Sequence, residues 1–383
     1  IDAYGHGVSS DADGNIAFIG DFWTPIDADP GSGTAIYTPL TPSPSNLSSD
    51  MYVGKYDADG ELLWFHQYPY LGGRKVAFDP SGNLWALAYV ADGDGATIDL
   101  DPGPGTAEIT GNTYNASRTA LISYDPDGNF RMATIWEASA TVQAEDIVFD
   151  TEGNPIVTSL IPGTNGRPAT ITYSRRLVGA ADPADSTFAK PTGAGTGPVL
   201  STWIRFDKDD ATISAIDDFE VSAVSPIGAS GAQLGSILVA PGGELLVSGN
   251  FYGSIDFDID PTGTAVETAV GGGSGFVVQY AADGSFDWVD TVIAADPNVN
   301  GSVTMLGLGL DGDDNVYASG SHQFDVVAGS TTLAVDDGHG HLISWATDGS
   351  VRWAIPVAGE GVIVGAAGTT GALAQPLPTA EHD

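Results

Sequence analysis

The sequence contains no cysteine. Disulfides, thiol catalysis and zinc–thiolate sites are excluded, and the absence fits either redox compartment. Bases are scarce: 12 Lys and Arg stand against 50 Asp and Glu, for a formal net charge of −38. A surface this acidic repels phosphates, so nucleic acid is not an expected partner. It also repels itself unless salt or cations screen it. A salty or calcium-containing exterior suits it, as does a cation-loaded fold; plain solubility is the simplest account. No apolar run approaches the roughly 18 residues of a membrane helix, and no membrane insertion is expected. No G-x-S-x-G elbow, phosphate-binding loop or dinucleotide fingerprint occurs. No catalytic residue can be named, and the balance leans away from an enzyme. The chain opens on Ile1 without a signal peptide, which predicts a processed mature chain or a fragment of a longer one.

What is present is a folding composition, 42% apolar and 9% aromatic, with 51 glycines and 23 prolines. Gly and Pro weaken helix interiors, and no long segment keeps a 3.6-residue period. An all-β chain rich in turns is expected.

Three motifs recur in fixed order. The first is D-x-x-G-N followed by alternating apolar residues: "DADGNIAFIG" from Asp11, "DPSGNLWALA" from Asp79, "DTEGNPIVTS" from Asp150, "APGGELLVSG" from Ala240 and "DGDDNVYASG" from Asp311. The second is acidic: "IDADPGSGTA" from Ile26, "IDLDPGPGTA" from Ile98 and "IDFDIDPTGTA" from Ile255. The third is "MYVGKYDADGELLW" from Met51, echoed from Thr119, Ser201, Gly275 and His341. The repeat is about 70 residues, long for a propeller blade, yet each unit holds four or five short strands, one blade's worth. The units run over residues 6–73, 74–144, 145–233, 234–303 and 304–359, with a closing hairpin at 360–374. The expected fold is a single β-propeller domain over 1–383, most simply five blades of four-stranded antiparallel sheets.

The motifs "MYVGKYDADGELLW" and "GFVVQYAADGSFDW", with the three D-x-D segments, resemble a bacterial β-propeller repeat family of secreted and cell-surface proteins (SBBP-like repeats). The resemblance covers nearly the whole chain. It departs most in the third unit, where "TITYSRRLVGAADPADSTFA" from Thr170 lacks the acidic motif. It implies a propeller outside the cytoplasm and no particular chemistry. Trp64, Trp288 and Trp353 share one repeat position, held by Met132 and Ser214 elsewhere. Packing between blades is the expected role.

The acidic motif has two readings. Asp27 with Asp29, and Asp99 with Asp101, leave one face of an extended chain and could supply oxygens to Ca²⁺. They equally suit a strand exit, since Asp starts turns, Pro sets φ and Gly bends the chain. The turn reading leads at those two pairs. At Asp256, Asp258 and Asp260 the cation leads, because three crowded carboxylates call for a counter-charge. Glu267 stands twelfth from Asp256, as in an EF-hand loop, but Pro261 occupies the sixth position where that loop needs Gly.

Six of the 12 bases are Arg167, Arg175, Arg176, Lys190, Arg205 and Lys208. A basic stretch on an acidic chain suggests contact with a neighbouring subunit or an anionic glycan; relief of local acid repulsion is the alternative. His322, His339 and His341 have a spacing that could hold a transition metal, though solvated loop histidines are the stronger expectation. The leading function is a non-catalytic binding or scaffold module in adhesion, surface-layer or appendage assembly, with Ca²⁺ as the one cofactor considered. The alternative is a lectin or a polysaccharide hydrolase or lyase.

Overall fold

The computed structural model describes residues 3–40, 49–90, 97–110, 118–138, 143–162, 170–177, 186–189, 199–223, 231–260, 262–335 and 339–357. Every regular element among them is a β-strand. The first repeat lays down β1 (Ala3–Ser10), β2 (Ile16–Phe22), β3 (Ile26–Asp27), β4 (Ile36–Tyr37), β5 (Asp50–Tyr56) and β6 (Leu62–Pro69). The second gives β7 (Leu71–Phe78), β8 (Leu84–Val90), β9 (Thr97–Asp99), β10 (Glu108–Thr110), β11 (Arg118–Tyr124) and β12 (Phe130–Ala138). The third gives β13 (Gln143–Phe149), β14 (Pro155–Pro162), β15 (Thr170–Leu177), β16 (Ser186–Ala189), β17 (Val199–Phe206) and β18 (Ile213–Asp218). After β19 (Glu220–Ala223), the fourth gives β20 (Gly231–Val239), β21 (Leu245–Tyr252), β22 (Ser254–Asp256), β23 (Val266–Thr268), β24 (Ser274–Tyr280) and β25 (Phe286–Ala294). The fifth gives β26 (Val303–Leu310), β27 (Val316–His322), β28 (Val326–Ala328), β29 (Thr331–Leu333), β30 (Gly340–Trp345) and β31 (Val351–Val357).

Each repeat therefore makes a four-stranded meander: β1-β2-β5-β6, β7-β8-β11-β12, β13-β14-β17-β18, β20-β21-β24-β25 and β26-β27-β30-β31. A short hairpin is inserted between the second and third strands of each. β15–β16 and β28–β29 dock on β12 and β25, the outer strands of the preceding meanders, and extend them to six-stranded sheets. Such docking covers an edge that would otherwise offer unpaired backbone groups.

The hairpin turns follow from the D-x-x-G-N motif. Asp79 Oδ1 accepts the N–H of Ser81 and of Asn83, both at 2.9 Å, and Asp79 Oδ2 takes the Asn83 side-chain amide at 2.8 Å. Asp11, Asp125, Asp150 and Asp311 repeat the arrangement. The fourth turn residue has positive φ and is glycine in most copies, as at Gly82 (φ 81°).

The chain divides into two compact units. The first carries β1–β18 and the second β19–β31, apart from a few residues at the ends of β17 and β18. Within the first unit, one apolar core joins the first two meanders (Ile19, Val53, Ala86, Ile122) and another the second and third (Trp85, Leu121, Ile147, Ile204). Within the second unit, Leu246, Val277, Val316 and Trp345 belong to one core between its two meanders. Two of the three repeat-periodic tryptophans serve these layers, while Trp353 meets Tyr317 of its own meander. Trp64 on β6 lies over the turn glycine Gly128 of the next meander, and Trp288 on β25 over Gly349. The expected hairpin at 360–374 lies outside the described residues.

Candidate functional site

The acidic motifs form the loops of three inserted hairpins, and the geometry is the same in each. Asp27 Oδ1 accepts the N–H of Asp29 at 3.1 Å and of Ala35 at 2.8 Å. Asp99 Oδ1 does the same with Asp101 (3.0 Å) and Ala107 (2.8 Å), and Asp256 Oδ1 with Asp258 (3.1 Å) and Ala265 (2.7 Å). One carboxylate oxygen thus closes the loop at both ends. The second aspartate turns inward over a glycine: a Cβ at Gly33, Gly105 or Gly263 would overlap Oδ2 of Asp29, Asp101 or Asp258. The residue between the two aspartates points into the core, as Leu100 and Phe257 do. A tyrosine ties two of these loops to the third strand of the meander: Tyr56 Oη donates to the Ala28 carbonyl at 2.6 Å and Tyr280 Oη to that of Phe257 at 2.7 Å. At the remaining loop, Tyr68 Oη lies 3.4 Å from the Leu100 carbonyl and 2.7 Å from Tyr124 Oη.

These hydrogen bonds give the paired carboxylates a structural task. Asp260 is likewise spent locally, its Oδ1 accepting the N–H (2.8 Å) and hydroxyl (2.7 Å) of Thr262, which lower its pKa. Glu267 lies across from Ile255 on β22; burial raises its pKa and the Asp290 charge adds to that. No group of three or more His, Asp or Glu side chains with metal-holding geometry occurs among the described residues. Asp99→Ala should cost about 1–3 kcal/mol in chemical denaturation, because two part-buried N–H groups lose their acceptor. Asp99→Asn, which keeps an oxygen in place, should cost less than half of that.

Of the basic residues, Arg167 and Lys190 lie outside the described residues. Arg175 and Arg176 sit on β15, in register with Thr134 and Ala133 of β12. Arg205 is on β17. Lys208 is in a turn, and its ammonium contacts Asp209 at 2.7 Å. Two of the three histidines are buried, and His339 is exposed as expected. His322 and His341 are 1% and 0% exposed. Their Nδ1 atoms lie 3.1 Å apart, and His341 Nε2 is 3.2 Å from Met305 Sδ. His339 Nδ1 is 3.3 Å from the His322 carbonyl.

A second feature has no counterpart among the motifs. The first strand of every meander carries a β-bulge: between Gly5 and Gly7, Gly73 and Lys75, Ala144 and Asp146, Leu234 and Ser236, and Met305 and Gly307. The bulged residues are His6, Arg74, Glu145, Gly235 and Leu306. Bulges re-aim a side chain, and His6, Arg74, Glu145 and Leu306 are all exposed. The signal was present in the sequence. The last residue of each first-motif copy is Gly20, Ala88, Ser159, Gly249 or Gly320, always small, and each pairs with the residue that opens the bulge.

In the first unit the bulges bring titratable groups together. His6 Nε2 is 2.9 Å from Oδ2 of the buried Asp21, whose Oδ1 accepts the Gly73 N–H at 2.9 Å. Burial raises the Asp21 pKa, with both contacts and the Arg74 charge opposing. Arg74 lies over the Tyr89 ring, 4.9 Å from its centroid. Desolvation raises the Glu145 pKa; Arg74 opposes this and Asp146 adds to it. Lys75 pairs with Asp146 at 3.0 Å.

No family model and no curated protein matches the chain. Among solved structures it is similar to one titled "Structure of surface layer protein SbsC, domains 4-9", at 11% identity, covering 95% of this chain and 82% of that one, with a TM-score of 0.11. A likeness at that TM-score carries no argument about fold or function.

Proposed function

We propose that the chain is a non-catalytic β-propeller of five four-stranded blades that serves as a binding and assembly scaffold outside the cell or on its surface. One observation carries the reading: the repeated carboxylates bind their own backbone. Asp27, Asp99 and Asp256 each close a loop, and the D-x-x-G-N aspartates each close a turn. Acids used this way build a framework. One meander per repeat, with an apolar layer between successive meanders of each unit, is what blades require. The resemblance to secreted propeller repeats and the charge of −38 support the extracellular setting. No helix among the described residues is long and apolar enough to cross a membrane.

Partner contact through the basic stretch implies salt-sensitive association with an acidic surface, a second copy of this chain included. Sedimentation at rising concentration should show species larger than a monomer at about 0.1 M salt that dissolve at about 1 M. A monomer under both conditions overturns the self-assembly part.

The acidic loops are proposed to be closed by their backbone bonds, with calcium acting only through screening. Ca²⁺ wants six to eight oxygens, and here Oδ1 of each loop-closing aspartate already holds two N–H groups. At fixed ionic strength, melting with Ca²⁺, Mg²⁺ or chelator should therefore agree within about 2 °C. A Ca²⁺-specific rise, the mass-action signature of a native-state ligand, would show that the Oδ2 atoms coordinate the ion.

A further inference from the structure

The framework repeats, but the residues at the bulges do not. The second unit carries Gly235 and Leu306 there; the first carries His6, Arg74 and Glu145. These three stand on β1, β7 and β13, the successive first strands of the three meanders. Asp21 links two of them: it contacts His6 and the backbone of Gly73, beside Arg74.

Arg74 is the informative member. The chain has 50 acids and 12 bases, so an exposed arginine meets an ion-pair partner easily. Among the described residues the Arg74 guanidinium makes no hydrogen bond or ion pair; it lies 4.9 Å from the centroid of the Tyr89 ring. That contact leaves the five N–H donors of the guanidinium unused. The exposed Glu145 supplies an acceptor nearby, while the buried Asp21, bonded through both oxygens, holds His6 and the Gly73 backbone in place. At the same end of the first meander an aromatic surface is open: Tyr4, paired with Asp21 across β1 and β2, is 51% exposed and lies edge-on to Trp23 at 5.5 Å.

A planar donor fork, an exposed carboxylate acceptor and an exposed aromatic face are complementary to a molecule with vicinal hydroxyls on one edge and C–H groups on its faces. An anion is disfavoured, because Asp21 and Glu145 flank the arginine and the whole chain is strongly acidic. We propose that the bulge line of the first unit, His6, Arg74 and Glu145 with Tyr4, positioned by the buried Asp21, binds a neutral saccharide. Arg74 donates to adjacent hydroxyls, Glu145 accepts from them, and the ring covers the apolar sugar face. This deepens the binding-module reading, and because it needs the first unit alone, it stands or falls separately from the sedimentation result.

The test is calorimetric titration of the full chain with soluble neutral oligosaccharides of glucose, mannose and N-acetylglucosamine, with polygalacturonate as the anionic comparison. At least one neutral sugar should bind with a Kd below about 1 mM. Arg74→Ala and Glu145→Gln should weaken it about tenfold or more, and Arg74→Lys should match Arg74→Ala, because lysine keeps the charge but loses the planar fork. Arg352→Ala, in the second unit, should bind as the parent does. Both bulge residues are exposed, so melting temperatures should hold and binding losses will be local. The proposal is overturned if no neutral sugar binds up to about 10 mM, if only polygalacturonate binds, or if the bulge variants bind as the parent does.

Discussion

Gly249→Ala should lower the stability of the second unit by about 3 kcal/mol or more. Gly249 on β21 faces the bulge of β20, and its Cβ would overlap the Gln233 carbonyl oxygen and lie 3.0 Å from the Phe276 ring. The obstruction is main chain, which cannot rotate away as a side chain would. Relief requires β20 to move off β21 and give up ladder hydrogen bonds worth about 1 kcal/mol each, on top of an overpacking cost of about 1–3 kcal/mol. The same contact recurs within other meanders: a Cβ at Gly20 would overlap the Tyr4 carbonyl and at Gly320 that of Thr304. Gly312→Ala is the control. Nothing lies within 4 Å of its Cβ position, so its effect should stay within about 0.5 kcal/mol. Denaturant unfolding of the two variants decides the matter. Equal midpoints would mean that the bulge is misplaced.

Acidification should weaken the same unit before the carboxylates held by its turns protonate. A thioether sulfur carries no proton, so at 3.2 Å from Met305 Sδ the His341 Nε2 must be the donor. His341 Nδ1 is then the acceptor for the His322 Nδ1–H at 3.1 Å. This leaves the lone pair of His322 Nε2, buried and without a partner. Both rings are held neutral. Burial, helped by the His322 charge, lowers the His341 pKa to about 3. Burial and the His339 charge lower that of His322, with Asp325 opposing. In the unfolded chain a histidine titrates near 6.5. Below that pH the unfolded state takes up a proton that the native state refuses, so stability is full above pH 6.5 and declines as the pH falls toward 3. At about 1.4 kcal/mol per pH unit, His341 alone should account for roughly 2–3 kcal/mol between pH 6.5 and 4.5. Carboxylates held down by turn hydrogen bonds, such as Asp311 at about 2, add their loss only below the ordinary Asp value. Denaturant midpoints of the parent and His341→Leu across pH 7.5 to 4.5 test this. The variant should show a much flatter acid limb, and parallel curves would rule out the neutral buried pair.

Much of the architecture was legible because it is local. The D-x-x-G-N turns close within five residues, so the Asp79 carboxylate and Asn83 amide announce their own geometry. The five units became five meanders because each keeps its alternating strands and turn signals in order. Two of the periodic tryptophans were also readable, since a large side chain repeated at one position needs a repeated place to pack, and Trp64 and Trp288 each cover the next meander's turn glycine.

The acidic motif was legible as a loop but not as to its use. Paired aspartates suit a cation and a turn alike. The choice rested on the N–H of Ala35, Ala107 and Ala265 returning to the first carboxylate eight or nine residues on. The burial of His322 and His341 was not legible because their sequence neighbours are small and polar, whereas Met305 reaches His341 from another strand. The small residue ending each first-motif copy marks a bulge, but which side chains the bulges bring together was hidden for the same reason. Sequence by itself determined the strands, the turns and the repeat, since hydrogen bonds spanning a few residues and a period of two carry that information. Tertiary structure decided which carboxylates are spent on backbone, which histidines are buried, and which residues of the first unit are turned outward together, because burial and charge environment are set by strands far apart in the chain.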